Sequence, residues 1–312
     1  MTMRDLTIRR LLPLVLVLAA PCFGQGAKDD DPGGTLRVDV KLVNMFVTVT
    51  DAHGAPVGSL NKEDFKLFED GSEQKIAVFD RQSELPLSII TAIDTSLSTK
   101  KDLKLETQSA RDFAHTILRP VDAMALYQFS EVVSEVVPFT KDLGRLDRGI
   151  ASIHPGSATA LYDAICLGAE AMESRHGRKV MVVITDGGDT ASQNKYSDAL
   201  RNAQAAETIV YSIIIVPIEA SAGRDTGGEH ALIQISTDTG GKYYYATSLA
   251  QLDSAFRKIS EELRTQYLLA YYPAKRFTDS DFRRVEIKLN GTAAANYHAR
   301  YRAGYFTSSG HF

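Results

Sequence analysis

The chain has little cysteine, and the predicted mature protein cannot form an intrachain disulfide. Cys22 and Cys166 are the two cysteines among the 312 residues. Cys22 falls inside a predicted leader, so that only Cys166 would remain after cleavage near Gly24. Export without disulfides fits a bacterial periplasm or cell surface better than a small secreted domain held together by disulfides.

The chain also lacks a block of basic residues. Its formal net charge is −4, and residues 1–24 carry three Arg and one Asp, so removing them takes the net charge to −6. A mildly acidic protein without a basic patch has little with which to neutralise phosphate groups. We therefore predict no nucleic-acid partner.

Long apolar runs are missing as well, apart from one near the N-terminus. Three arginines precede the run from Leu11 to Ala20, and small residues follow it, which is typical of a secretory signal peptide over residues 1–24. The run is short for a membrane span. We expect no integral membrane span after cleavage; an uncleaved anchor is the alternative. Pro21 stands where a lipoprotein signal needs a small residue, which disfavours lipid attachment at Cys22.

Strand patterns occupy the two flanks of the chain. Residues 25–34 are polar, rich in Asp and Gly, and are interpreted as a linker. Residues 35–85 then show strand-like alternation, and residues 263–308 return to strand patterns. Each flank has too few strands to be stable alone. Because the termini of a compact domain often lie close together, we predict one small β-sandwich formed by both flanks around an inserted domain.

Turn residues predict where the flanking strands end. Asp70-Gly71 is predicted to connect a strand at Phe65–Phe68 to one at Ile76–Phe79. Asn290-Gly291 is predicted to form another turn. The last strand is predicted from Tyr297 to Tyr305.

The central residues 86–262 alternate strands with helices. Two strands, Leu87 to Ile93 and Lys179 to Thr185, are apolar over most of their length. Such strands between helices indicate a parallel sheet covered on both faces. The sequence therefore predicts an α/β fold, with a doubly wound, mostly parallel sheet inserted into the β-sandwich.

Oxygen-bearing side chains follow both apolar strands. Asp94, Ser96 and Ser98 follow the first strand, Asp186 follows the second, and Thr159 precedes a predicted helix. Ligands of open parallel sheets bind beyond the carboxyl ends of the strands, so we expect these loops to converge. Carboxylate and hydroxyl oxygens suit a small hard cation.

These segments resemble a known motif in both order and spacing. Asp94-Thr95-Ser96-Leu97-Ser98, Thr159 and Thr185-Asp186-Gly187 are similar to the metal-ion-dependent adhesion site of von Willebrand factor type A (VWA) domains. The resemblance covers about residues 86–262. The flanks resemble the VWFA-related Acidobacterial domain family at three segments: Asp51 to Val57, Glu63-Asp64-Phe65 to Glu69-Asp70-Gly71, and Tyr267 to Tyr271.

The resemblance implies a set of metal ligands and a function. Ser96 and Ser98 would bind Mg²⁺ directly, with Mn²⁺ or Ca²⁺ as alternatives. Thr159 would join them in a ligand-bound state, and Asp94 and Asp186 would act largely through bound water. The implied protein is an exported, non-enzymatic adhesion or protein-interaction module. Its partner would present an Asp or Glu carboxylate to the cation.

Three nearby residues are interpreted separately. Leu97 stands where the family commonly has Gly, which would change how closely a partner approaches. Asp163 is interpreted as a residue that caps or pairs within its helix, and Asp189 as a turn residue. Both are left out of the predicted site.

Two other functions remain open. One is a structural subunit of an envelope complex with a vestigial metal site. The other is a hydrolase or phosphotransferase with Asp94 as the nucleophile. An aspartyl nucleophile needs an acid–base partner, and Ser96 stands where one could lie. The sequence also contains no G-x-S-x-G, P-loop, G-x-G-x-x-G or H-E-x-x-H motif.

Overall fold

The computed structural model describes residues 42–81, 84–97, 103–186, 188–216, 226–275 and 282–307. The predicted signal peptide over 1–24, the linker over 25–34 and Cys22 lie outside these residues. Ser98, one of the predicted metal ligands, also lies outside them. The residue boundaries predicted for the domains stay predictions.

The described residues form strands and helices that alternate in the centre of the chain. Their bounds are β1 Val43–Asp51, β2 Phe65–Glu69, β3 Ser72–Gln74, β4 Ile76–Arg81, β5 Leu87–Asp94, α1 Leu103–Ile117, β6 Ala123–Phe129, β7 Val133–Thr140, α2 Leu143–Ala151, α3 Leu161–Glu173, β8 Arg178–Thr185, α4 Tyr196–Ala205, β9 Thr208–Ile215, α5 Thr226–Asp238, β10 Tyr243–Ala246, α6 Leu249–Thr265, β11 Tyr267–Tyr271, β12 Phe282–Leu289, α7 Gly291–Asn296, β13 Tyr297–Arg300 and β14 Gly304–Phe306.

The central unit is a six-stranded sheet in the order β10-β9-β8-β5-β6-β7. All neighbours are parallel except β6 and β7, which are antiparallel and form a hairpin. The strand order reverses between β5 and β8. Their carboxyl ends therefore form the crevice in which sheets of this kind bind ligands.

Helices cover both faces of this sheet. The central strands β5, β8 and β9 are buried along their whole length, apart from Lys179. On one face α1, α2 and α6 pack through residues such as Phe113, Ile150 and Phe256. On the other face α3, α4 and α5 pack through residues such as Ile165 and Leu232. The predicted α/β fold with a doubly wound, mostly parallel sheet is confirmed.

The flanks form two antiparallel sheets, and each sheet takes strands from both flanks. One has the order β13-β1-β11-β4 and the other β14-β12-β2-β3. Residues of the two sheets share one core, in which Met45 and Tyr267 of the first sheet cluster with Leu67 and Ile287 of the second. Neither flank could form this core alone, as the sequence predicted.

Three local predictions in the flanks were wrong. The turn at Asp70-Gly71 connects β2 to the short strand β3, whereas β4 pairs with β11 in the other sheet. Asn290 precedes the helix α7, which the run of three alanines at 293–295 favours. The strand predicted over 297–305 is two strands, β13 and β14, one in each sheet.

The chain passes between the central unit and the flanking sheets twice. Both passages lie at the end of the six-stranded sheet where its parallel strands begin, which we call the amino edge; the end where those strands finish is the carboxyl edge. The first passage leads from β4 to the start of β5 at Leu87, and the second from the end of α6 into β11 at Tyr267. The amino edge therefore faces the connections between the two parts, while the carboxyl edge lies at the other end of the strands.

Candidate metal centre

Asp94 ends β5 and is fully buried. Its Oδ1 accepts a hydrogen bond from the backbone N–H of Ser96 at 2.8 Å, and its Oδ2 accepts one from the Thr185 hydroxyl at 2.6 Å. The carboxylate thus holds the loop that follows its own strand and also ties β5 to the end of β8. Ser96 is itself buried, whereas Leu97 is 61% exposed.

The carboxyl group of Asp94 lies in an environment that disfavours its charge. Burial raises its pKa to about 6, while the hydrogen bonds from Thr185 and Ser96 oppose the rise. The negative charge of Asp186 raises the pKa further. The two carboxylates predicted for the site are therefore close enough to interact electrostatically.

The loop before α3 brings Thr159 towards the same edge. The N–H of Gly156 donates to the carbonyl oxygen of Thr95 at 2.6 Å, and the N–H of Ala160 donates to that of Ser130 at 2.6 Å. These bonds hold the Thr159 loop against the loops that follow β5 and β6. Thr159 is 5% exposed, and the N-cap position of α3 belongs to Ala160.

The third loop, after β8, forms hydrogen bonds with both the backbone N–H and the backbone carbonyl group of Thr159. The N–H of Thr159 donates to the Thr190 hydroxyl at 3.0 Å. Its carbonyl oxygen accepts bonds from the N–H groups of Thr190 at 2.8 Å and Ala191 at 3.0 Å. The structure therefore joins all three loops that carry predicted ligands, and the four of these residues that are described, Asp94, Ser96, Thr159 and Asp186, lie on the loops or at the strand end before them.

Asp189 has a larger role than the turn residue predicted from the sequence. Its Oδ1 accepts bonds from the N–H of Leu161 at 2.9 Å, the N–H of Tyr162 at 3.3 Å and the Ser192 hydroxyl at 2.6 Å. It satisfies the free N–H groups at the start of α3 from another loop. The helix that follows Thr159 is therefore positioned by the loop that carries Asp186.

Two further carboxylates hold neighbouring loops. Glu131 accepts bonds from the N–H of Ser157 at 2.8 Å and from its hydroxyl at 2.9 Å, and these bonds lower the pKa of Glu131 to about 2. Asp163 accepts bonds from the N–H groups of Gln193 and Asn194. Asp163 therefore holds a different loop, and the interpretation from the sequence that it caps or pairs within its own helix was wrong.

Sequence reasoning missed Glu131 because its partner lies 26 residues away. Its position at the tip of the hairpin between β6 and β7 carries no local signal for that contact. Within the described ranges, no group of three or more His, Cys, Asp or Glu side chains is placed to hold a metal ion. The predicted ligand set has two carboxylates and three hydroxyls, so it does not depend on such a group.

Comparison with known proteins identifies the central unit. The family model for the von Willebrand factor type A domain matches residues 88–258, which is more than half of the chain. The resemblance to VWA domains is thereby confirmed, while the resemblance of the flanks to the VWFA-related Acidobacterial domain family stays a prediction. No curated protein matches the sequence.

Three solved structures are similar to this chain. A von Willebrand factor type A protein from Catenulispora acidiphila is 11% identical with a TM-score of 0.50, over 77% of this chain and 75% of that one. Proximal thread matrix protein 1 from the mussel byssus is 15% identical with a TM-score of 0.50, over 63% and 51%. An aerotolerance-related membrane protein from Bacteroides fragilis is 22% identical with a TM-score of 0.46, over 57% and 98%. At these identities, the likeness to the two structures with a TM-score of 0.50 shows the fold alone.

Among the helices of the described residues, none is both long and apolar enough to cross a membrane.

Proposed function

Because the chain belongs to the von Willebrand factor type A family, we propose that it is an exported module that captures a carboxylate of a partner protein through a divalent cation. VWA domains are in general protein-interaction modules. The cation is Mg²⁺, with Mn²⁺ or Ca²⁺ as alternatives, and its ligands are Asp94, Ser96, Ser98, Thr159 and Asp186. The site of action is the periplasm or the cell surface.

The observation that carries the proposal is the joining of three loops at one edge of the sheet. The bond from Thr185 to Asp94, the bond from Gly156 to Thr95 and the bonds around Thr159 connect segments that are distant in sequence. The side-chain atoms on these loops that could bind a cation are oxygens, which are the ligands that a hard cation requires. The donor set of the described residues therefore fits Mg²⁺.

Each residue has a defined task in this arrangement. Asp94 fixes the backbone of Ser96, so that the serine side chain is held at the edge of the sheet. The bonds from Thr190 and Ala191 fix the peptide of Thr159. Bound Mg²⁺ would supply the positive charge that attracts the carboxylate of a partner. Because three of the five ligands are hydroxyls, the protein itself would leave part of that charge uncompensated.

The burial of Asp94 favours binding over catalysis. A nucleophilic carboxylate must reach its substrate, but Asp94 is 0% exposed and each of its oxygens accepts a hydrogen bond. The exposed Leu97 beside the site instead offers an apolar contact for a partner. These features support an interaction module over a phosphotransferase.

Calorimetric titration of the purified protein with Mg²⁺ and Mn²⁺ tests the proposal. We expect saturable binding to the wild type, at least about tenfold weaker binding to Asp94→Asn, and no change for Asp112→Asn. Asp112 is an exposed carboxylate on α1 and serves as the matched control. Far-ultraviolet circular dichroism should show that all three proteins are folded. No binding to the wild type would leave the structural-subunit alternative.

A second experiment addresses the partner. Immobilised protein is exposed to envelope extract, with either Mg²⁺ or a chelator, and the bound proteins are identified. We expect a partner that is retained with Mg²⁺ and lost both with chelator and on the Asp94→Asn protein. Retention that is equal under all conditions would contradict capture through a cation.

A further inference from the structure

A cavity of about 240 Å³ lies at the amino edge of the six-stranded sheet, at the opposite end of the strands from the candidate metal centre. It adjoins both passages between the central unit and the flanking sheets. Its lining includes three arginines, two acidic residues and three aliphatic residues: Arg119, Arg178, Arg264, Glu84, Asp122, Leu87, Ile117 and Leu263.

Arg178 is held in this cavity by its backbone. Its N–H donates to the carbonyl oxygen of Pro86 at 2.9 Å. The preceding Gly177 has φ +85°, and a Cβ at that position would lie 2.3 Å from the same carbonyl oxygen. Only glycine allows this close approach, so the start of β8 is fixed against the segment that leads into β5.

The guanidinium group of Arg178 is buried but incompletely bonded. Arg178 is 3% exposed, and its side chain donates one described hydrogen bond, from Nη1 to the carbonyl oxygen of Leu263. Its Nε is shielded from solvent and has no hydrogen-bond partner among the described residues. Within the same residues, no carboxylate forms an ion pair with it.

The two acidic residues of the lining are directed to another arginine. Asp122 accepts bonds from Nε of Arg119 at 2.9 Å and Nη2 of Arg119 at 3.0 Å, and from the N–H groups of Arg119 and Leu87. Oε2 of Glu84 lies 3.6 Å from Nη1 of Arg119, and the side chain of Glu84 is 93% exposed. Neither carboxylate compensates the charge of Arg178 by direct contact.

The electrostatics agree with a charge that is only partly compensated. Burial, followed by repulsion from Arg119, lowers the pKa of Arg178 to about 10, although the negative charges of Asp122 and Glu84 oppose the decrease. The pKa of Arg300, whose side chain is 22% exposed, is shifted in the opposite direction to that of Arg178. Burial lowers the pKa of Arg300, but Tyr211 and the ion pair with Glu262 raise it overall. Proteins rarely bury a cation unless a counter-charge accompanies it.

We propose that this cavity binds a small oxyanion, a carboxylate or a phosphate group, with Arg178 as its principal partner. Arg264 lies at the same cavity and contributes a second positive charge, with its Nη2 donating to the carbonyl oxygen of Thr116 at 2.6 Å. Leu87 and Ile117 provide an apolar wall for a short carbon skeleton. The planar fork of an arginine matches the oxygens of both anion types.

The competing explanation is that Arg178 serves only the end of α6. A cation near the carbonyl groups of a helix C-terminus is stabilising without any ligand. The two explanations differ in what an added anion does, because an anion that binds the native state stabilises it in a saturable way.

Thermal unfolding of the full protein, titrated with inorganic phosphate or malonate at constant ionic strength, tests the proposal. We expect a saturable rise of about 5 °C at a hundredfold excess over the dissociation constant. Selective saturation by phosphate would identify phosphate compounds as the ligand class, and selective saturation by malonate would identify carboxylates. The absence of a saturable response to either anion would overturn the proposal.

Variants separate this site from general salt effects. Arg178→Met should abolish the saturable response and should not lower the unfolding temperature measured without anion. Arg148→Met, which removes an exposed arginine on α2 outside the cavity, should respond like the wild type. An equal response in Arg178→Met would place the anion elsewhere and contradict the proposal.

A direct measurement covers the case in which Arg178→Met fails to fold. In the wild-type protein labelled with nitrogen-15, the arginine Nε–H signals are followed during the titration. The signal of Arg178, assigned through its backbone, should shift with the same saturation curve as the unfolding temperature. An Arg178 signal that stays unchanged at saturation would contradict the proposal.

Discussion

The two edges of the central sheet carry opposite chemistry. At the carboxyl edge, Asp94 and Asp186 interact as two negative charges, and the pKa of Asp94 is raised. At the amino edge, Arg119 and Arg178 interact as two positive charges, and the pKa of Arg178 is lowered. Each edge therefore holds one buried charged side chain near a partly exposed one of the same sign, which is an arrangement expected where a ligand of opposite charge binds.

The difference between the edges lies in how the chain marks them. The residues of the carboxyl edge follow strands in a recognisable order and spacing, because loops after parallel strands supply ligands in many sheets. The residues of the amino edge come from a strand start, a loop and a helix end, and no local pattern connects them. Both edges also depend on contacts between segments distant in sequence, and these contacts can be tested separately from binding.

The largest effect is expected from Glu262, a buried carboxylate near the end of α6 that neutralises the partly buried Arg300. Glu262 is 2% exposed, forms an ion pair with Arg300 and accepts hydrogen bonds from the hydroxyls of Tyr211 and Tyr244, each at 3.1 Å. Glu262→Ala should lower the free energy of unfolding by about 3 kcal/mol, because Arg300 would lose its counter-charge. Urea unfolding measures this loss.

The neighbouring Glu261 provides the control for this prediction. It is exposed on the same helix, and Glu261→Ala should change the free energy of unfolding by less than about 0.5 kcal/mol. Equal losses in the two variants would show that the Glu262 ion pair contributes nothing specific. The contrast between Arg300 and Arg178 would then lose its basis.

A pair of glycine substitutions should separate stability from binding. In Gly177→Ala, the Cβ would lie 2.3 Å from the backbone oxygen of Pro86, and the alanine would have to adopt the left-handed backbone conformation of Gly177. We expect the free energy of unfolding to fall by about 3 kcal/mol. In Gly156→Ala, the Cβ would meet the side chain of Ser130 at 2.3 Å. A loss of about 1 kcal/mol is expected there, together with weaker Mg²⁺ binding, because the bond to Thr95 would be displaced.

Urea unfolding and Mg²⁺ calorimetry on both glycine variants provide the comparison. Mg²⁺ affinity should be unchanged in Gly177→Ala wherever the protein remains folded, since that residue lies at the other edge of the sheet. Unchanged Mg²⁺ affinity in Gly156→Ala would contradict the role assigned to the loop before α3.

An effect as small as that of Gly156→Ala is expected from Asp189, which caps α3. Asp189→Ala should lower the free energy of unfolding by about 1 kcal/mol. It should also weaken Mg²⁺ binding, because the start of α3 fixes the residues after Thr159. Asp198→Ala is the matched control, because Asp198 accepts a bond from the N–H of Lys195 at the start of α4. It should lose similar stability and keep its Mg²⁺ affinity. Equal weakening of Mg²⁺ binding in both variants would point to a general effect of helix capping.

Much of the fold followed from patterns that are local in the sequence. The apolar runs that became β5 and β8 indicated a parallel sheet, because both faces of such strands are buried. The last strand was predicted wrongly because alternation does not reveal which sheet a strand joins. Gly304 allows β14 to approach β12, since a Cβ there would lie 2.1 Å from the carbonyl oxygen of Arg283.

In the candidate metal centre, too, some features could be predicted from the sequence and others could not. The motif order alone placed Asp94, Ser96, Thr159 and Asp186 on loops at one edge. The supports of those loops were not predictable, because Glu131 reaches Ser157 and Asp189 reaches Leu161 across 26 and 28 residues. Asp and Glu are common in turns, so their identity gave no indication of these partners.

The sequence by itself determined the alternation of strands and helices, the family motif and the oxygen chemistry of its predicted ligands. These depend on side-chain period and on order along the chain. Only the tertiary structure decided which loops are bonded together and that Arg178 is buried beside a cavity. The reason is that burial and charge compensation depend on every segment packed around a group, and those segments come from distant parts of the chain.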